Sequence, residues 1–144
     1  MTPLIRSATP ADAPLLVEIE RQSFSNPTWD LDSFFTYPCV VAEVDGTVAG
    51  FLVFREISPA VDGSPPEREI LNLAVAREHR RMGLATALLN HELSSGATHF
   101  LEVRESNVAA QALYRKCGFV EIASRAAYYE YPTETAIVMT VKRC

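Results

Sequence analysis

A strand that leads through a short polar turn and a glycine into a helix constrains this chain more than any other stretch. Glu69-Ile70-Leu71-Asn72-Leu73-Ala74-Val75 has the apolar character of a buried strand, and Arg80-Arg81-Met82-Gly83-Leu84-Ala85 opens the helix beyond it. The first-turn N–H groups of a helix have no intrahelical partner, and the helix dipole puts partial positive charge there. Such a turn is an anion site, and Gly83 removes the side chain that would hold a phosphate off the backbone. Arg80 and Arg81 add charge at its mouth. The expected ligand is therefore a phosphorylated cofactor gripped mainly by backbone; the alternative is a plain helix entry with two solvated arginines. No Gly-Lys-Ser/Thr follows, so this is not a P-loop, and the Gly-x-Gly-x-x-Gly dinucleotide fingerprint is absent.

Upstream, Leu4–Ser7 fits a first edge strand. Thr9-Pro10-Ala11-Asp12 has the form of a capped helix start, and Leu15, Leu16, Ile19 and Phe24 are spaced as an apolar stripe. Pro14 fits only in the first turn, which allows a start as late as Asp12. Ser25-Asn26-Pro27-Thr28 is a loop, and Asp30 can cap a short helix carrying Phe34 and Phe35 that stops before Pro38. Cys39–Val44 and residues 47–55 are β-branched runs joined at Asp45-Gly46, a strong two-residue hairpin signal. Residues 58–67, with three prolines and a glycine, form a loop.

Beyond the organising turn, a helix over about 81–93 places Leu84, Ala87 and Leu88 on one face, with Gly96 near its end. Thr98–Arg104 alternates, with Phe100, Glu102 and Arg104 on one side and Leu101 and Val103 on the other. Ser106 or Asn107 caps a helix that ends at Gly118, and 119–128 with 136–141 make a closing antiparallel pair. The result is an α/β fold: a mixed, mostly antiparallel sheet of six to seven strands, with a central parallel pair and about four flanking helices. The parallel pair, 71–75 and 98–104, is joined by a right-handed crossover helix. Ligands in such sheets lie at the carboxyl ends of the strands, the end expected to carry Val75, the 80–85 turn, Arg104 and Asn107.

With 144 residues the chain is expected to be one domain, 1–144. Its net charge of −5 argues against nucleic acid and favours a basic partner. No apolar run approaches the ~20 residues of a membrane span, and Met1–Arg6 lacks a signal-peptide core. Cys39, Cys117 and Cys144 offer neither a disulfide framework nor zinc spacing, which suits a reducing cytoplasm.

Arg80-x-x-Gly83-x-Ala85 resembles the Gln/Arg-x-x-Gly-x-Gly/Ala signature of the GCN5-related N-acetyltransferase superfamily. Leu101-Glu102-Val103-Arg104-Glu105-Ser106-Asn107, followed by Ala110, Leu113-Tyr114 and Gly118-Phe119, is similar to the bacterial ribosomal-protein-alanine N-acetyltransferases. The resemblance covers about residues 69–141 well and the N-terminal half more loosely. It implies the acyl-CoA N-acyltransferase fold, acetyl-CoA as cosubstrate, no metal, and transfer to an amine. The most direct acceptor it implies is the N-terminal alanine of a small-subunit ribosomal protein. Another protein N-terminus, a lysine or a small amine is the alternative acceptor, and a non-catalytic CoA-binding module is the reading of a different class. The resemblance further implies that backbone of Leu73, Ala74 and Val75 pairs with the pantetheine amides, and that Asn107 bonds the same arm. Backbone of Arg81, Met82, Gly83, Leu84, Ala85 and Thr86 would take the pyrophosphate, while Trp29, Tyr128 and Tyr129 would border the acceptor.

Acetyl transfer needs a neutral amine and a proton for the departing thiolate. An α-amino group has a pKa near ~8, so a carboxylate at hand can take its proton at pH 7. Glu102 is the candidate, because a carboxylate in mid-strand among apolar neighbours is costly unless paired or used; the competing reading is an ion pair with Arg104 on the same face. The resemblance makes Glu102 the general base and Tyr114 the general acid. Tyr114 lies seven residues after Asn107, about two helical turns on, hence on one side of one helix. Otherwise it is an ordinary half-buried helix tyrosine. Trp29 serves equally as a plug between two helices. Cys117 as a nucleophile has no histidine placed to activate it and suits a small buried hydrophobe; His79, His91 and His99 are expected at the surface or locally bonded. Two departures from the family pattern stand out. The helix after Gly83 is one to two turns short, and Glu130 and Tyr131 intervene between the tyrosine pair and Pro132.

Overall fold

The computed structural model describes residues 2–24, 29–130 and 132–141. The loop expected at 25–28 lies outside them, as do Tyr131 and Cys144. The strands are β1 (Leu4–Ser7), β2 (Cys39–Val44), β3 (Thr47–Ser58), β4 (Glu67–Val75), β5 (Thr98–Arg104), β6 (Val120–Tyr129) and β7 (Glu134–Val141). The helices are α1 (Ala13–Ser23), α2 (Ser33–Thr36), α3 (Leu84–Leu93) and α4 (Val108–Lys116). Seven strands make one mixed sheet in the order β1-β2-β3-β4-β5-β7-β6. β4 and β5 are its parallel pair, with Glu67 opposite Thr98 and Glu69 opposite Phe100. The chain gathers into two compact units, residues up to Arg55 with Leu71–Glu92, and Glu56–Ile70 with residues from Leu93 on.

In the first unit, a 3-10 turn at Pro10–Asp12 precedes α1, and Pro14 falls in the first helical turn, where a missing N–H costs nothing. Asp12 Oδ2 accepts the Thr9 N–H at 2.7 Å, and both Asp12 oxygens accept Arg6 at 2.8 and 3.0 Å. Arg6 also donates to Glu43 on β2, so one guanidinium ties β1 to the start of α1. Leu16 and Ile19 are buried, but Leu15 and Phe24 of the expected stripe are largely exposed. The N-cap of α2 is Asp32, not the expected Asp30, whose Oδ1 accepts the Ser33 N–H at 3.1 Å from the turn before it. Phe34 of α2 meets Phe51 of β3 edge-on at 5.0 Å, the preferred aromatic geometry. The β2–β3 hairpin closes at Asp45 and Gly46, both left-handed (φ +52° and +79°), as a type I′ turn requires. α3 begins at Leu84 and not at 81, because Arg81 and Gly83 also have positive φ, +65° and +77°. Its buried face is Leu84, Leu88 and Leu89, with Ala87 only half-buried.

In the second unit, β5 pairs with β7 from His99 opposite Val141 to Arg104 opposite Ala136. Leu101 and Val103 face inward, as their alternation dictates. His99 is wholly buried, not superficial, and its carbonyl accepts the Thr140 hydroxyl at 2.9 Å. Asn107 is the N-cap of α4, its Oδ1 accepting the Ala110 N–H at 3.1 Å. α4 ends at Lys116, followed by Cys117, which is half-buried and not a core residue, and Gly118. β6 is an exposed edge strand with register shifts against β7 after Glu121 and after Arg125.

Candidate active site

The turn after β4 is built by backbone capture. The Ala76 N–H donates to Ala49 O at 2.7 Å, and Arg80 Nε donates back to Val75 O at 3.2 Å. Arg80 Nη2 donates to Gln22 O and Ser23 Oγ, both at 3.3 Å, placing a cation at the C-terminal end of α1. Arg80 is thus a brace for the turn and not a charge at its mouth. After it, Arg81 and Gly83 both have positive φ, a backbone conformation found in anion-holding concavities. Gly83 O accepts the Ala87 N–H at 3.0 Å, so the N–H groups of Leu84, Ala85 and Thr86 are the ones α3 cannot satisfy internally. A Cβ built on Gly83 would meet nothing within 4 Å, so no protein atom fills the space beside it. Met82 stands exposed beside it.

Leu73, Ala74 and Val75 form the last residues of β4, preceded by buried Asn72. Asn72 Nδ2 donates to Glu20 Oε2 at 2.9 Å, and Glu20 Oε1 accepts the Trp29 N–H at 3.0 Å. Glu20 is 3% exposed, and burial pushes its carboxyl above the ordinary value against the pull of those two donors. The Trp29 ring packs on Phe34 at 5.1 Å and against the core, as the plug does. Glu20 and Asn72 escaped the motif reading, yet an acid at the i+4 position from Leu16 sits on the helix's apolar stripe, and that signal was visible.

In the second unit, the outward face of β5 carries Glu102 and Arg104. Glu102 Oε1 accepts Arg125 Nη1 of β6 at 3.0 Å, whereas Glu102 Oε2 is buried with no hydrogen-bond partner. The Glu102–Arg104 pair of the competing reading does not form. Arg104 instead donates to Glu134 Oε1 (3.2 Å), Pro132 O (3.0 Å) and Glu130 O (2.9 Å), with its guanidinium 4.5 Å from the Tyr129 ring centre. Arg125 lies 4.3 Å over the Tyr128 ring. Consecutive strand residues ordinarily face opposite ways, but the register shift after Arg125 and left-handed Ala127 (φ +54°) re-aim this edge. Tyr128 and Tyr129 thereby pack edge-to-face at 5.1 Å. Burial first, then the Glu102 charge, raises both phenols above their ordinary value, and Tyr114 adds to the effect on Tyr129. Tyr114 packs at a tilt against Phe119, ring centres 5.7 Å apart, and burial pushes its hydroxyl up to about 12. Glu102, Tyr114, Tyr128 and Tyr129 therefore form one cluster, to which the structure adds Arg125. No spacing rule marked that residue, because it arrives through sheet pairing. Among the described residues, no group of three or more His, Cys, Asp or Glu is placed to hold a metal, and no helix is long and apolar enough to cross a membrane.

Residues 11–119 match the family model described as acetyltransferase (GNAT) family. The chain belongs to the GNAT acetyltransferases. It is 33% identical to the [ribosomal protein bS18]-alanine N-acetyltransferase of Escherichia coli K12, over 95% of each chain. An uncharacterized N-acetyltransferase of Methanocaldococcus jannaschii is 34% identical over 97% of this chain and 92% of its own. Among solved structures, the ribosomal-protein-S18-alanine N-acetyltransferase from Escherichia coli superposes with a TM-score of 0.84 at 31% identity, covering 99% of this chain and 94% of the other. The protein is an acetyl-CoA-dependent N-acetyltransferase of this family. The seven-stranded mixed sheet with its parallel β4–β5 pair is the GNAT fold.

Proposed function

We propose that this acetyltransferase modifies the α-amino group of a protein whose mature N-terminus is alanine, most directly a small-subunit ribosomal protein, with Glu102 as general base and Tyr114 as general acid. The observation that carries the reading is the Oε2 atom of Glu102, buried and without a hydrogen-bond partner. A buried carboxylate oxygen left open is costly, and an incoming N–H supplies what it lacks.

Acetyl-CoA supplies an activated thioester carbon, and its pyrophosphate suits the cradle from Arg81 to Thr86 because Gly83 leaves that space open. Leu73 to Val75 would offer strand-edge backbone to the pantetheine amides, and Asn107, whose Oδ1 is committed to the α4 cap, would contribute Nδ2. The acceptor arrives largely as an ammonium at pH 7. Glu102 Oε2 takes one proton, the freed nitrogen pair forms the bond to the acetyl carbon, and the nitrogen gives up a second proton to solvent as the carbon–sulfur bond breaks. Tyr114 gives its hydroxyl proton to the departing sulfur and recovers one from solvent. Holding that phenol up to about 12 keeps it protonated across the neutral range, so it has the proton to give. Trp29, Tyr128 and Tyr129 would border the acceptor's first residue. An alanine acceptor is supported by the name of the Escherichia coli relative.

Glu102→Gln is the test. Turnover at pH 7 should fall about 10²- to 10⁴-fold while acetyl-CoA affinity is unchanged, and the deficit should shrink above pH ~8, where the amine deprotonates unaided. Unaltered turnover at pH 7 removes Glu102 from the chemistry.

A further inference from the structure

We infer that Arg125 is a placeholder for the acceptor: its guanidinium stands on the Glu102 carboxylate in the free enzyme, and the substrate ammonium must displace it. The inference rests on the reading of Glu102 as the group that receives the amine.

The pair is lopsided. The Glu102 side chain is 16% exposed and that of Arg125 is 55% exposed, so a solvent-side cation reaches in to an acid that cannot move out. Arg104, one strand position pair along, shows what a fixed arginine looks like here, held by one carboxylate and two backbone carbonyls. Arg125 has a resting place of another kind, the face of Tyr128, on which it already lies. It can leave Glu102 and keep that cation–π contact. Its strand permits the motion, since β6 is an exposed edge whose pairing with β7 is irregular directly after Arg125.

An ammonium approaching Oε2 meets a carboxylate whose charge is already compensated at Oε1. Two cations on one carboxylate repel each other at close range. The acceptor therefore works against Arg125, and the arginine sets its apparent affinity while leaving the cofactor cradle untouched. The same competition discriminates among acceptors. A neutral hydroxyl or amide cannot displace a guanidinium from a carboxylate, whereas a primary ammonium with several N–H donors can. Arg125 is accordingly a positioning and specificity residue for protonated primary amines.

The experiment compares the wild-type protein with Arg125→Gln, Arg125→Lys and Glu102→Gln, using an alanine-led hexapeptide and acetyl-CoA. An exposed pair of this kind is worth about a two- to five-fold change in equilibrium. Arg125→Gln should lower the peptide KM about two- to five-fold, Arg125→Lys should return it toward the wild-type value, and calorimetric affinity for acetyl-CoA should not move in either. A peptide KM that rises or stays the same in Arg125→Gln overturns the inference. If Glu102→Gln keeps full turnover at pH 7, the base assignment fails instead, so the two failures are separate. Should Arg125→Gln fail to fold, a crystal structure of the wild-type protein with CoA and the alanine-led hexapeptide, its α-amino group free, decides. Arg125 lifted from Glu102 supports the inference, and Arg125 still bonded to it overturns it.

Discussion

Replacing Asn72 by leucine keeps the shape of a buried β4 side chain and removes one of the two donors that compensate the Glu20 carboxylate. Glu20 is 3% exposed, so water does not take over the lost bond. A hydrogen bond to a charged group contributes about 1.5–3 kcal/mol, so Asn72→Leu should cost that much at pH 7. For a chain of this size the loss corresponds to a fall in Tm of about 5–10 °C. The pH dependence is the sharper part. Burial raises the folded-state pKa of Glu20 above its ordinary 4.5, so the folded state binds this proton more tightly and its ionised form is a burden that grows as pH rises through that range. Asn72→Leu raises the folded pKa further, hence the penalty is full at neutral pH. Below pH 4 the carboxyl is protonated in both states, and the lost bond is a neutral one worth about 0.5–1.5 kcal/mol. Thermal unfolding followed by circular dichroism at pH 7 and pH 4 reads both numbers. Equal Tm losses at the two pH values, or none at pH 7, would refute the account of a buried charge held by Asn72 and the Trp29 N–H.

Four more outcomes are expected. Gly83→Glu puts a side chain and a negative charge into the open cradle at a left-handed position, and should weaken acetyl-CoA binding at least about tenfold by calorimetry. Asp12→Asn tests the Arg6 anchor. Hydrogen bonds from Arg6 hold the Asp12 pKa at about 2 against an ordinary 3.8, a stabilisation present above pH 3.8 and lost as pH falls to 2. The variant should therefore lose about 1–2 kcal/mol at pH 7 and almost nothing at pH 2, measured by denaturant unfolding. Ala127→Gly relieves a left-handed alanine (φ +54°) and should gain about 1 kcal/mol, seen as a higher Tm. Cys117→Ser should remain active, because Cys117 is half-buried at the end of α4 and no step of the chemistry uses its thiol.

Local signals carried most of the fold. Asp45-Gly46, the Asn107 cap, and the alternation of Thr98–Arg104 each work through neighbours in sequence, and each stands as expected. What escaped was decided at long range. Arg104 could not be assigned a partner from sequence, because Glu134 comes to it only through β5–β7 pairing, 30 residues away. Arg125 meets Glu102 only after a register shift past Glu121 on β6 that no composition announces. Arg80 matched the family signature, yet its role as a brace depends on where the last turn of α1 ends. His99 lies in the core and not at the surface; a polar ring on a sheet strand gives no hint of which layer covers it.

Tandem mass spectrometry of an alanine-led peptide that also contains a lysine, incubated with isotope-labelled acetyl-CoA and the enzyme or its Glu102→Gln variant, tests the central claim most directly. Label on the α-nitrogen of the alanine, nearly abolished at pH 7 in the variant, is the result expected. Label on the lysine side chain, or the same α-labelling with Glu102 replaced, would contradict it.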